Sequence, residues 1–315
     1  MTQIATHPSS ERQYLYQVHG VVLRSEIALH DAVPIRRIEK RDCYDAIIRR
    51  GDVLSAPEKT GAVQVQAGEV FHIHSRYGSL QVGRGYVEVR PVTDVSYSEL
   101  LSYFAVYAVA ILLHLRGELT LHASAVEIDG QVVAFLGEKQ MGKSTTASCF
   151  VKRGHRLLSD DMIGCRLQED GKLPAVAPGF PWLKVFGNVL RDAPDQYARS
   201  EEWMVPGSRK RLVPLSPDEA STRFPLAHLY ILAFHDGQDV IMKPASEKQA
   251  FLFLIQQAFI QRLTKKPIDS RGKIFSDVAT LARRVPLSVV GRPQSLESLP
   301  EVYDSVCNDV KGQAG

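Results

Sequence analysis

The sequence predicts an α/β fold preceded by a β-rich N-terminal region, and three observations carry the prediction. Residues 1–96 show repeated period-two alternation broken by glycines. A mostly apolar stretch follows at 97–116. From 117 onward, strand-like segments, a glycine loop, a helical pattern and a further strand succeed one another, the order of α/β units.

The elements follow in order. Tyr14 to Leu23 alternates in its first half and carries β-branched residues later. GAVQVQAGEVFHIHSRYGSLQVGRGYVEVRP is interrupted by Gly68, Gly78, Gly83 and Gly85, as antiparallel strands with tight turns require. His72 and His74 share one strand face; metal ligation fits that spacing, but a solvent-facing strand surface is the ordinary reading. Residues 97–116 read as a buried helix stopping near Gly117. Its apolar run, Tyr103 to Leu115, is about thirteen residues, short of the roughly 20 that span a bilayer. LTLHASAVEI and QVVAFL are strands around the turn Asp129-Gly130. A helix then runs to about Arg153, with Gly154 as its cap, and a strand leads into Asp160-Asp161. Beyond a Pro- and Gly-rich stretch, YILAF at 230–234 reads as a strand. Lys248 to about Leu263 reads as one amphipathic helix, and residues after 301 as a short helix and tail. The expected divisions are a β-rich domain at 1–96, a connecting helix at 97–116, a catalytic domain at 117–300 and a C-terminal segment at 301–315.

Composition narrows the function. The chain is 44% hydrophobic and 23% charged, as soluble globular proteins are. A net charge of +3, without a dense basic stripe, argues against a nucleic-acid partner. Cys43, Cys149, Cys165 and Cys307 are scattered, with neither zinc-ligand spacing nor a disulfide framework. With a polar opening, MTQIATHPSSERQ, and no bilayer-length span, a cytoplasmic protein without a membrane partner is expected.

The chemistry concentrates at GEKQMGKS. Gly137, Gly142, Lys143 and Ser144 fit the phosphate-loop pattern, and Glu138, Lys139, Gln140 and Met141 fill its variable positions. Glycines let the backbone wrap closely, so that successive N–H groups face phosphate oxygens, and the following helix adds positive potential. Lys143 suits the β/γ phosphates and Ser144 suits Mg²⁺, so ATP and Mg²⁺ are the expected cofactors. The confirming context is present: a strand precedes the loop and a helix follows. No Asn-Lys-x-Asp guanine reader and no LSGGQ-like transporter signature occurs. A kinase instead needs a carboxylate near the γ-phosphate. Asp160 and Asp161 suit that need, at the C-terminal end of the strand after the loop's helix. The plain alternative is a turn, where Asp-Asp is common. His122, on the strand before the loop, is a candidate to lie near the acceptor hydroxyl or to hydrogen-bond a carboxylate.

LHASAVEIDGQVVAFLGEKQMGKSTTASCFVKRGHRLLSDDM resembles the catalytic domain of HPr kinase/phosphorylase, in the order His, strand, phosphate loop, helix, Asp pair. It is closer still to the HPr-kinase-related proteins of lasso-peptide gene clusters, which share a PGFPWLK-like segment, here Pro178 to Lys184. The resemblance implies a P-loop kinase domain of the HPr-kinase type with a mixed sheet. It implies that Gly137, Gly142, Lys143, Ser144 and Thr145 bind ATP and Mg²⁺. Asp161 would be the base, Asp160 would help hold the metal, and His122 would support the base. The implied reaction is phosphorylation of a serine hydroxyl, the C-terminal serine of a lasso-peptide precursor, by a possible homo-oligomer. Gln140 stands where the family loop usually has Gly, and the bifunctional enzyme's glycine-rich signature is not recognisable, so phosphorolysis is not expected.

Lys184 and the basic run Arg209, Lys210 and Arg211 are further candidates for substrate or phosphate contact, with a solvated loop an equal reading for the run. Two other functions remain open: a kinase of free serine or of an HPr-like protein, and an ATP-sensing peptide binder without transfer activity.

Overall fold

The computed structural model describes residues 13–29, 36–37, 43–56, 63–66, 69–169, 171–186, 210–215, 222–264 and 270–313. The fold is mixed α/β, with a β-rich N-terminal region. There, β1 (Tyr14–Val18) and β2 (Val21–Ser25) form a hairpin whose turn residues, His19 and Gly20, both have positive φ, as a type I′ turn requires. They join β3 (Arg36–Arg37), β4 (Ala46–Arg50), β5 (Val63–Gln66), β6 (Val70–Ser75), β7 (Gly78–Gly83) and β8 (Tyr86–Pro91). The sheet order is β3-β1-β2-β4-β8-β7-β6-β5. β4 runs parallel to β2 and β8, and the other pairs are antiparallel. Alternation does what the sequence promised: Phe71 and Ile73 of β6 are buried, while His72 and His74 stack on the other, partly exposed face.

The helix α1 (Tyr97–Leu115) starts in a capping box between Ser96 and Glu99. It is long and apolar enough to cross a membrane by length and composition. In this fold it is a core helix, packing on β7, β8 and the first strand of the second sheet, with Leu100, Leu101, Phe104, Ala108, Ile111 and Leu113 buried. The apolar cluster therefore runs unbroken from the N-terminal sheet through α1 into the second sheet.

That second sheet carries the loop of Gly137 to Ser144. Its elements are β9 (Leu119–Leu121), β10 (Ser124–Ile128), β11 (Gln131–Leu136), α2 (Lys143–Val151), β12 (Arg156–Ser159), β13 (Ile163–Arg166) and β14 (Ala175–Val176). A separate hairpin pairs β15 (Trp182–Phe186) with β16 (Lys210–Pro214). β17 (Phe224–Phe234), β18 (Ile241–Pro244), α3 (Glu247–Gln257), α4 (Phe259–Leu263), α5 (Arg271–Arg284), β19 (Leu287–Arg292) and α6 (Leu299–Gln313) complete the chain. The path is β12-β10-β11-β17-β14-β13-β9, with β19 on β17 and β18 on β19. β11, β17 and β19 run parallel, and the remaining pairs are antiparallel.

Three local expectations change. The helix expected from Lys248 to Leu263 breaks at Ala258, which adopts ψ 113° and bridges Leu121. Apolar periodicity continues across that break, so periodicity alone did not reveal it. α5 and β19 lie in a stretch for which the sequence reading offered no element. The short C-terminal helix is fifteen residues long, held against α2 by Tyr303 on Phe150 at 4.8 Å between ring centroids.

Candidate active site

β11 is fully buried over Val132–Leu136, and its hydrophobic anchoring fixes where the next residues turn. Gly137 has φ 151°, and a side chain there would meet the Leu232 carbonyl at 3.0 Å. Gly142, with φ 88°, stands at the N-cap of α2 and supplies no side-chain cap. The first N–H groups of α2 are thus left for an anion. Glu138, Lys139 and Met141 complete the loop. Gln140 has φ 73°, in the left-handed region that glycine fills at least cost. The Lys143 ammonium folds back to donate to the carbonyls of Gly137 at 2.9 Å and Glu138 at 3.1 Å.

Asp160 meets the loop directly. β12 pairs antiparallel with β10, which pairs antiparallel with β11, so β12 ends at the loop's side of the sheet. The Asp160 carboxylate, 2% exposed, accepts from Ser144 Oγ at 2.9 Å and from Ser124 Oγ at 2.5 Å through Oδ1. Its Oδ2 accepts from the Lys184 backbone N–H at 2.8 Å. Asp161 has φ 71°, a conformation that Asp tolerates better than most residues. Its carboxylate pairs with the Lys184 ammonium at 2.6 Å. Burial alone would lower the Lys184 pKa; the charges of Asp161 and Asp160 outweigh it and hold it above the ordinary value.

His122 lies between β9 and β10. Its Nδ1 is 2.8 Å from the backbone carbonyl of Asp161, not its carboxylate. A carbonyl only accepts, so Nδ1 carries the proton and Nε2 keeps a lone pair. Burial, then the charge of Lys143, push the His122 pKa down to about 4. The backbone N–H of His122 donates to Gln257 at 2.9 Å, and Phe259 packs beside the ring. Thr145 follows Ser144 in the first turn of α2. Lys210 and Arg211 lie on β16 opposite Phe186 and Val185; their side chains, and Arg209 entirely, lie outside the described residues.

Sequence reasoning missed Ser124, buried and hydrogen-bonded to Asp160, because one serine in an apolar strand carries no motif. It also missed Tyr107 on α1. Burial pushes that hydroxyl's pKa up, with Lys184 opposing and Asp161 adding, which places Tyr107 within the field of the Asp161–Lys184 pair. Only the packing of α1 against this end of the sheet brings it there.

The donor set suits a hard divalent cation. Ser144 and Asp160 offer a hydroxyl and a carboxylate within 2.9 Å of each other. Among the described residues no group of three or more His, Cys, Asp or Glu forms a metal cage. Mg²⁺ is usually held by one or two carboxylates plus substrate phosphates, so these residues fit it.

No family model matches the chain. A stretch of 64 residues is 44% identical to HPr kinase/phosphorylase of Caldanaerobacter subterraneus subsp. tengcongensis, covering 20% of this chain and 21% of that protein. One of 89 residues is 37% identical to HPr kinase/phosphorylase of Clostridium acetobutylicum, covering 27% of this chain and 29% of that one. The shared stretch is thus well under half the length of these curated relatives. The solved HPr(Ser) kinase/phosphatase of Coxiella burnetii superposes with a TM-score of 0.33 at 14% identity, over 62% of this chain and 99% of that one, a score too low to argue from. Over these stretches the chain is similar to curated proteins named HPr kinase/phosphorylase.

Proposed function

We propose that the chain is an ATP- and Mg²⁺-dependent kinase that transfers the γ-phosphoryl group to a serine hydroxyl of a peptide or protein. The observation that carries this reading is the junction of the two motifs: Asp160 accepts a hydrogen bond from the phosphate-loop Ser144, and Asp161 stands beside it in an ion pair with Lys184. A carboxylate turned elsewhere would have left the loop a simple anion cradle.

Each residue then has a task. The N–H groups of the loop and of the start of α2 hold the phosphate chain, and Lys143 leaves its own carbonyls to pair with the β/γ oxygens. Ser144 and Asp160 would hold Mg²⁺, which neutralises charge on the phosphates. Asp161 takes the proton of the acceptor hydroxyl as its oxygen bonds to the γ-phosphorus and the bond to ADP breaks. Lys184 moves from Asp161 toward the γ-phosphate, which frees the base as it screens the transferring group. His122 holds the Asp161 backbone and stays neutral at physiological pH.

The acceptor to test first is the one the resemblance names, the C-terminal serine of a lasso-peptide precursor. Free serine and an HPr-like protein come next. Incubation of the full chain with ATP, Mg²⁺ and each candidate, followed by mass spectrometry, is the test. One added phosphate on a serine-bearing acceptor, absent when that serine is alanine, supports the proposal. Tight ATP binding with no phosphate gained by any acceptor overturns it in favour of an ATP-sensing binder.

A further inference from the structure

Arg292 is the last residue of β19, outside every motif that sequence reading singled out. It pairs in register with Phe234, the last residue of β17, so it stands at the end of the three parallel strands from which the phosphate loop rises. It is 3% exposed. Its Nη1 donates to the carbonyls of Pro293 at 3.1 Å and Ser295 at 2.8 Å and to Ser298 Oγ at 3.1 Å, all neutral groups. The guanidinium lies over the Phe234 ring, 4.8 Å from its centroid. Among the described residues no carboxylate pairs with it, and Nε is buried without an acceptor. Burial holds its pKa below the ordinary arginine value, yet an arginine stays charged.

A buried cation without a counter-charge is costly, and such a group persists where a ligand supplies the missing anion. Its direction identifies the anion. A methyl placed on Gly142, the N-cap of the phosphate-loop helix, would lie 2.7 Å from Arg292 Nη2. One nitrogen of the fork is thus tied to the loop after β19, while another reaches the backbone that cradles phosphate.

We propose that Arg292 is a second cation of the nucleotide site and contacts the α/β end of the phosphate chain. The assignment of that end follows from the strand order β12-β10-β11-β17 with β19 beyond. Asp160 and Asp161 follow β12, on one side of the loop strand, and attend the γ-phosphate. Arg292 ends β19, on the other side, and attends the portion that ADP retains. The proposal rests on the nucleotide reading above and adds to it a specific contact shared by ATP and ADP.

Calorimetric titration of ADP into the full chain tests it, using Arg292→Gln and Arg292→Lys. Glutamine keeps a donor for the local carbonyls and removes the charge; lysine keeps a charge but not the fork. In Arg292→Gln, the ADP and ATP dissociation constants are expected to rise together by about ten-fold or more. In Arg292→Lys, the expected rise is about three-fold or more. A folded variant of either kind, verified by its thermal midpoint, that binds ADP as tightly as wild type overturns the assignment and leaves Arg292 a clamp on residues 293–298. If wild type itself binds neither ADP nor ATP, the kinase reading falls first.

Discussion

Replacing Asp161 with asparagine is the sharpest perturbation of the proposed chemistry. Asparagine is the right substitute because residue 161 has φ 71°, which Asn accepts, whereas alanine would add about 1 kcal/mol of backbone strain. The amide keeps the shape and loses the proton acceptor. A positioned general base contributes about 10²–10⁴ in rate, or roughly 3–5.5 kcal/mol of barrier, and the transfer rate should fall by that factor. Stability should change little. The Asp161–Lys184 pair is partly open to water, with side chains 24% and 20% exposed, and such a pair contributes about 1 kcal/mol or less. That corresponds to a thermal midpoint shift of a few degrees at most. Nucleotide affinity should hold, because the loop's N–H groups and Lys143 are untouched. The assay is transfer of labelled γ-phosphate to the acceptor, paired with ATP titration of the same preparation. Transfer within ten-fold of wild type would refute the assignment of the base. Loss of ATP binding would refute the division of labour between loop and carboxylate.

Three further outcomes are expected. Ser124→Ala removes a donor to the buried Asp160 carboxylate and should cost about 1.5–3 kcal/mol in urea unfolding; no change would mean that Ser144 and the Lys184 N–H suffice to hold Asp160. Gln140→Gly relieves a left-handed non-glycine residue and should be neutral or stabilising by up to about 1 kcal/mol, whereas a loss above that would reveal a role for the glutamine side chain. His19, His114 and His122 have pKa values pushed by burial down to about 3, 4 and 4, from 6.5. The unfolded chain therefore binds protons first as pH falls below about 6.5. Stability should drop by about 1.4 kcal/mol per pH unit per histidine until the folded values are reached. Urea midpoints at pH 7, 6 and 5 check this, and a flat profile contradicts it.

The turn from β11 into α2 was legible because its cause is local: glycines where the backbone must turn, and a helix starting at once. The strand alternation of residues 63–91 was legible for the same reason, since a pleated strand writes its buried face into every second residue. The break at Ala258 was not, because the cause is a bridge to Leu121, distant in sequence.

By itself, then, the sequence determined the turn at Gly137–Gly142 into α2 and the alternating faces of β5 to β8, each a property of neighbours along the chain. Tertiary structure alone decided which groups surround them. It placed Ser124 under Asp160, Lys184 on Asp161, the His122 Nδ1–H toward a backbone carbonyl rather than a carboxylate, and a buried arginine against Gly142. The physical reason is that these contacts join residues on different strands and helices. Their distances follow from how sheets and helices stack, which no local spacing encodes.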